Sequence, residues 1–243
     1  MLVCKAWKIR AQMHLFSNVS TPVTRLPIFG NSLKSTRYLR SFIRRLTIFF
    51  DIDDEGNDTM SAFCMANNLQ NLEFLHLVEF DLTREHPSIF KVPLLRPVKH
   101  LHLLDIRKCS LSQLVRFINM FHSLSSMILR FQLDTLEHHE EILPKPSRVQ
   151  GRSLAQLDIH LIPGIGKFLD WCMKEEMLLV NIRKLVLRCY LDGPVVCSCF
   201  QEAGSLLQAC KASVTELHLD FRTEDPDTGV LDLCELTRRR MDH

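Results

Sequence analysis

The first fifty positions of this 243-residue chain contain no Asp or Glu. No uncharged apolar run approaches the ~20 residues that a membrane-crossing helix needs, which excludes a helical span. Only eight Gly and ten Pro are present, too few for low-complexity linkers or a collagen-like repeat. The nine Cys, at 4, 64, 109, 172, 189, 197, 199, 210 and 234, follow no disulfide-framework spacing. No C-x-x-C pair occurs either; Cys197-Ser198-Cys199 is a C-x-C without a second paired set, so a zinc finger is excluded. Also missing are the G-x-S-x-G of a nucleophile elbow, a P-loop, and an H-E-x-x-H zinc helix. With no traceable pair of nucleophile and base, an enzyme is the last reading to entertain.

What is present is an ordinary globular composition, 46% hydrophobic and 24% charged, with a formal charge of +2. That balance hides an asymmetry. Residues 1–50 carry nine Lys or Arg, and the remainder is net −7. Three readings stay open for the basic start: a solvated helical surface, a site for nucleic acid or an acidic partner, or a mitochondrial targeting segment. Without a cleavable secretory signal, the cysteines are expected as reduced thiols, most of them small buried groups, in a cytoplasmic or nuclear protein.

A six-residue frame, apolar-x-x-Leu-x-apolar, recurs as 43–48, 72–77, 98–103, 124–129, 154–159, 182–187 and 214–219. Successive starts lie 26 to 32 residues apart, and the fourth position is Leu in every copy except Met127. The alternating second half of the frame suits a short strand with two side chains on one face. Between frames the apolar period becomes helical. Leu111, Leu114, Val115, Ile118 and Phe121 make one stripe, opened by Ser110-x-x-Gln113 as a capping box. Ile165, Phe168, Leu169 and Cys172 make another; Val196, Phe200, Ala203, Leu207 and Cys210 make a third. One strand and one helix per ~28 residues cannot bury an apolar face alone, so neighbouring units must stack.

This pattern resembles the leucine-rich repeat proteins of the longer, helix-containing type, over residues 41–221. The resemblance implies an α/β solenoid of about seven irregular strand-helix repeats with a parallel sheet on its concave side. It departs from the family at the position three past the last strand leucine, where Asn or Cys is usual. Here Asp51, Phe80, Ile106, Gln132, Ile162, Tyr190 and Arg222 stand there. Before the first repeat, Leu2-Val3-Cys4-Lys5-Ala6-Trp7 through Leu15-Phe16 resembles the closing helix of the F-box in fungal F-box proteins that carry such repeats. Ser35-Thr36-Arg37-Tyr38-Leu39 resembles the lead-in to their first repeat. The resemblance reaches only that last helix of the box. It implies a helical cap over 1–40, with Leu2, Val3, Trp7 and Arg10 facing a Skp adaptor, and Leu2, Ala6, Met13 and Phe16 with Val3 and Trp7 on one apolar face. Trp7, Tyr38 and Leu39 are expected to pack.

In such a stack, the positions around and between the paired apolar residues line the concave wall. They are Arg45/Thr47/Phe49, Phe74/His76/Val78, His100/His102/Leu104, Ser126/Ile128/Arg130, Gln156/Asp158/His160, Lys184/Val186/Arg188 and Glu216/His218/Asp220. The expected partner-binding residues are Phe49, Phe74, His76, His100, His102, Arg130, Asp158, His160, Lys184, Arg188 and His218, centred on Phe49, Phe74, His76 and His102. The surface should be moderately apolar in its first half, basic near Lys184 and Arg188, and acidic at Glu216 and Asp220.

His76 and His102 should be neighbours across adjacent strands, without the further ligands a metal needs. His138-His139-Glu140-Glu141 and the acidic run Asp51–Asp58 read as solvated turns; position 62, where a calcium loop needs Glu, is Ala. Gly164-Ile165-Gly166 is too short for a dinucleotide fingerprint. Arg238-Arg239-Arg240 reads as a helix terminus or tail, and residues 222–243 as a tail or partial cap. The function expected is therefore non-enzymatic recognition of a protein by a monomer, without cofactor or metal. Either it is the substrate-recognition subunit of a Skp–cullin–F-box ubiquitin ligase or a free-standing scaffold.

Overall fold

Every frame ends in a strand. The structure is a computed structural model that describes residues 4–50, 59–84, 97–132, 154–162, 165–174, 181–190, 196–210 and 212–222. Its eight strands are β1 (Asn18–Pro22), β2 (Arg45–Phe49), β3 (Phe74–Val78), β4 (His100–Ile106), β5 (Ser126–Phe131), β6 (Gln156–Leu161), β7 (Lys184–Tyr190) and β8 (Glu216–Arg222). They form one all-parallel sheet in the order β1-β2-β3-β4-β5-β6-β7-β8. The helices α1 (Lys5–Ser17), α2 (Leu26–Ser35), α3 (Thr59–Asn67), α4 (Leu111–Ile118), α5 (Gly166–Lys174) and α6 (Val196–Cys210) lie between strands in the chain or, for α1, before them. The fold is α/β.

Register follows the frame. Leu46, Leu75, Leu101, Met127, Leu157, Leu185 and Leu217 are successive partners across the sheet, and Ile48, Leu77, Leu103, Leu129, Ile159, Leu187 and Leu219 run beside them. All of these from β2 to β7 are buried. Fixed register is what period-two alternation demands, because a one-residue slip would turn each leucine to the opposite face.

A second device repeats at each strand's start. The carbonyl of Arg44 accepts from the N–H of both Glu73 and Phe74, that of Glu73 from Lys99 and His100, and that of Lys99 from Ser125 and Ser126. Ser125, Ala155 and Arg183 continue the series to Glu216. Each rung thus meets the next with its polar backbone satisfied before the strand begins.

The sheet has one strand more than the sequence suggested. Residues 1–40 were expected to be a helical cap, yet β1 lies within them, pairing Val19 with Leu46 and Thr21 with Ile48. Phe16-Ser17-Asn18-Val19-Ser20-Thr21 is a degenerate frame in which Val replaces Leu and Thr replaces the last apolar residue. A β-branched pair fits a pleated surface as well as leucine does. Thr21 is accordingly buried, and Val19 and Phe16 pack on the core.

The helical stripes fall largely where the period put them. Ser110 caps α4: its hydroxyl accepts from the Gln113 N–H while the Gln113 side chain accepts from the Ser110 N–H. Leu111, Leu114, Val115, Ile118 and Phe121 are buried, as are Ile165, Phe168, Leu169 and Cys172. In α6 the fully buried leucine is Leu206; Leu207 is partly buried beside Ala203.

The missing Asn or Cys ladder has an apolar substitute. A third interior row holds Phe50, Phe80, Ile106, Phe131, Leu161 and Cys189, all buried. Its place in the chain shifts. Phe50 and Phe131 stand two residues past the last strand apolar residue, but Phe80 and Ile106 stand three past. Leu103 pairs with Leu129 and then Ile106 with Phe131, so β4 carries one extra residue, Asp105, at φ 55°. Glu79 repeats this at φ 61° before Phe80. A left-handed residue is unfavourable for a non-glycine side chain, though Asp tolerates it better than most. What it achieves here is sorting: the bulge swings the acid outward and the Phe or Ile inward.

Around this row the rings of Phe50 and Phe80 stand 4.8 Å apart. Phe63 and Phe117 meet edge-on at 5.5 Å, as do Phe117 and Phe121 at 5.3 Å, and Phe80 and Phe117 lie tilted at 5.5 Å. Phe63, Phe80, Phe117 and Phe121 have no exposed surface. The aromatic cluster fills the space beneath β2–β5.

The acidic run 51–58, the stretch Glu137–Gly151 with its His and Pro motifs, and the closing Arg238–Arg240 lie outside the described residues, as do Leu2 and Val3. Among the described cysteines, Cys109, Cys172, Cys189 and Cys210 are buried, while Cys4 and Cys64 are exposed. No helix among the described residues is long and apolar enough to cross a membrane.

Candidate functional site

The second face of the sheet carries the positions that alternate with the leucines. They fall into three rows. The first runs Asn18, Arg45, Phe74, His100, Ser126, Gln156, Lys184, Glu216. The second runs Ser20, Thr47, His76, His102, Ile128, Asp158, Val186, His218. In the third, Pro22, Phe49, Val78 and Leu104 are successive partners, and His160, Arg188 and Asp220 close its other end.

Between β3 and β4 the first two rows are stacked rings. Phe74 and His100 lie 4.0 Å apart and 9° from parallel; His76 and His102 lie 4.1 Å apart at 21°. The Arg45 guanidinium sits 4.4 Å above the Phe74 ring, a cation–π contact. Beside the stack, Phe49 is 46% exposed.

Burial sets the protonation of the imidazoles. His102 is pushed down to about 4, first by desolvation and then by the charges of His76, His100 and Arg45. His76 and His100 are also lowered, again chiefly by burial. All three are therefore neutral near pH 7, which removes the repulsion that would split a stacked pair. Arg45 Nε and His76 Nε2 are covered and have no hydrogen-bond partner among the described residues. Each such group carries a cost of about 1–3 kcal/mol.

The other end is built differently. Arg188 donates through Nε and Nη2 to the two Asp158 carboxylate oxygens at 2.9 and 3.0 Å, and through Nη1 to Asp220 at 2.6 Å. Asp158 is 4% exposed, so the two-pronged geometry supplies what burial of a carboxylate requires. These hydrogen bonds, Asp158's foremost, hold the Arg188 guanidinium above its ordinary value. Nearer the strand starts, Lys184 approaches the Glu216 carboxylate at 2.5 Å and His218 the same oxygen at 2.6 Å.

These contacts correct part of the expected surface. Asp158 and His160 are not open contact groups: Asp158 is buried under Arg188, and His160, 6% exposed, sets Nδ1 3.2 Å from the Phe131 carbonyl oxygen. Ser126 and Val186 are buried too. Lys184 and Arg188 do not form a free basic patch, because both are committed to carboxylates. Sequence reasoning missed that network although its signal was present. Arg188 stands one strand over and two residues along from Asp158, a diagonal that a long guanidinium side chain can span. Phe49, Phe74, His76, His100, His102 and the exposed Arg130 share the open part of the face. His218 is exposed at its far end.

At the amino-terminal end, α1 touches the rest of the molecule mainly through its last turn. Phe16 packs on the core, and Gln12 Nε2 donates to Tyr38 Oη at 3.3 Å. Of the expected apolar face Phe16 packs but Trp7 and Met13 do not: Trp7 is 69% exposed, and Met13, Ile9 and Leu15 are exposed with it. Helix α1 spreads its apolar residues around the axis rather than in one stripe, so no single face could be buried. Arg10 is exposed beside them. Of the other two residues expected to pack, Leu39 is buried, while Tyr38 is exposed and meets Phe42 edge-on.

Among the described residues no group of three or more His, Cys, Asp or Glu could hold a metal ion. Compared with protein-family models, with curated proteins and with solved structures, the chain finds no match.

Proposed function

We propose that this chain is a leucine-rich repeat solenoid of recognition, its open sheet face gripping another protein while it performs no chemistry itself. One observation carries the reading. Strands that follow one another without a crossover, each aligned leucine on leucine, leave a continuous second face. From β1 to β5 that face is only partly covered and rich in rings. Stacked units bind along such a surface because each contributes a few side chains at fixed spacing. Large rigid side chains such as Phe49 and Phe74 supply contact area at little entropic cost.

The exposed apolar residues of α1 support a second contact. Trp7, Ile9, Met13 and Leu15 with Lys8 and Arg10 suit a docking helix, here assigned to a Skp adaptor of a cullin ubiquitin ligase. The thiols are consistent with a cytoplasmic or nuclear site of action.

The test uses the full chain with purified Skp adaptor. Binding that is lost on Trp7→Ala and unchanged by Phe49→Asp supports the ligase role. No binding rejects that role and leaves a free-standing scaffold, whose target contact must then be abolished by Phe49→Asp and His76→Asp. Retention on nucleic acid that falls steeply with salt would favour the basic amino-terminal region as the functional surface instead.

A further inference from the structure

Charge divides the open face more sharply than shape does. Across β1–β5 its outward positions hold two cations, Arg45 and Arg130, and a single carboxylate, Asp105 on the β4 bulge. Besides Asp105, two acids flank this half, and both are engaged: Glu73 with Lys99 at 3.3 Å, and Glu79 with Arg107. Neither Arg45 nor Arg130 has an ion-pair partner among the described residues. Arg45 rests on Phe74 with its Nε unmatched, and His76 beside it keeps Nε2 unmatched. In β6–β8, by contrast, Asp158, Asp220 and Glu216 are held by Arg188 and Lys184. A partner's carboxylates therefore find two uncommitted cations against the one outward Asp105 in the first half, and meet occupied cations at the second.

We infer that β1–β5 take an acidic, apolar peptide segment of another protein, its carboxylates on Arg45 and Arg130 and its apolar side chains over Phe49, Val78 and Leu104. This rests on the recognition reading above and specifies its partner. Spacing follows from the sheet. Arg45 and Arg130 stand three strands apart and at opposite ends of their strands, roughly 20 Å on ideal strand dimensions. That is the reach of about six extended residues, so the two carboxylates should be separated by that distance with apolar groups between them. The long, unpaired Arg45 side chain can leave the Phe74 ring to accept a bidentate carboxylate.

The probe is a phage-displayed random dodecapeptide library panned against the full chain. Enriched peptides should carry Asp or Glu well above library frequency, paired at five to seven residues around Leu, Ile, Val or Phe. Their affinity should fall about tenfold or more with Arg45→Glu and with Arg130→Glu, the scale of a reversed interfacial charge. Arg116→Glu on α4 should leave it unchanged. Arg45→Gln provides a milder variant should Arg45→Glu alter the far-ultraviolet dichroism, and acid enrichment itself is read on the unaltered chain.

Binders that are lost with Phe49→Asp yet show no acidic bias, or ignore both arginine changes, overturn the inference and leave the recognition reading standing. An absence of binders, or binders indifferent to every change on this face, overturns both.

Discussion

The amino-terminal and carboxy-terminal parts of the sheet share one frame and one register but solve the same problem with different materials. Under β2–β5 the core is a cluster of phenylalanine rings, and above it the open face is stacked Phe and neutral His. In β6–β8 the third interior row runs Leu161, Cys189 and a partly buried Phe221, and the outer face is tied by Arg188 between Asp158 and Asp220. Ring stacks tolerate a missing partner because they satisfy little beyond their own area. A buried ion pair does not, since either member left alone is a charge out of water. The first region is thus free to exchange contacts with another molecule, and the second is committed to holding the sheet.

The sharpest way to break this comparison is at the shared interior row. Phe80 touches Phe50, Phe63 and Phe117, and has no exposed surface. Phe80→Ala should cost about 3–5 kcal/mol by urea denaturation, through lost transfer energy and a cavity among rings that cannot collapse. Cys189→Ala in the same row removes a single sulfur and should cost about 1 kcal/mol. Equal losses would mean the aromatic cluster is not what stabilises the first region.

Next in size is the network above β6–β8. Arg188→Ala strands the Asp158 carboxylate at 4% exposure and should cost about 2–4 kcal/mol, less than a fully buried pair because Arg188 is itself a quarter exposed. Arg45→Ala removes only a cation–π contact and should cost about 0.5–1 kcal/mol. Comparable values for the two would erase the distinction between a committed and an available cation.

How much of this was legible beforehand depends on the kind of interaction. The strands and their parallel neighbours could be read because a leucine at every fourth frame position imposes burial and register together. The His76–His102 contact followed from that register. Strand β1 escaped because Val19 and Thr21 satisfy the same pleat with residues that no leucine pattern detects. The bulges at Glu79 and Asp105 escaped for a related reason: counting fixed offsets from the last leucine cannot see an inserted residue that only backbone torsion reveals. Asp158 and His160 were misjudged as open because alternation fixes which face a side chain leaves by, not what a neighbour's longer side chain then covers. Trp7 was misjudged because the apolar residues of α1 are spread around its axis, and reading part of them as one face left Ile9 and Leu15 out of account.

A smaller effect separates the regions by pH. The folded protein holds His102 at about 4, against 6.5 for a free, solvated imidazole, chiefly through burial. Between those values the unfolded chain binds the proton and the folded chain does not, so stability falls as pH drops through that window and is fully present above it. His76 and His100 are lowered too and act in the same direction. The ring is only partly buried, so after solvent screening a loss of the order of 1 kcal/mol is expected for His102. His102→Phe should keep the stack and flatten that part of the pH profile; an unchanged profile would assign the acid sensitivity elsewhere.

The smallest effect tests whether the charged end is one network or two. Glu216 lies below the ordinary carboxylate range because Lys184 and then His218 hydrogen-bond to it, yet it faces solvent. A pair exposed in this way holds its geometry without stabilising the fold appreciably. Lys184→Met should therefore leave the urea midpoint where it is, while the Glu216 side-chain carboxyl resonance titrates at higher pH than before. If the midpoint falls as it does for Arg188→Ala, Lys184 and Glu216 belong to the buried Asp158–Arg188–Asp220 lattice, and the second region is braced through its full width. If only the titration moves, bracing is confined to the Arg188 diagonal and the strand starts of β7 and β8 remain a solvated rim.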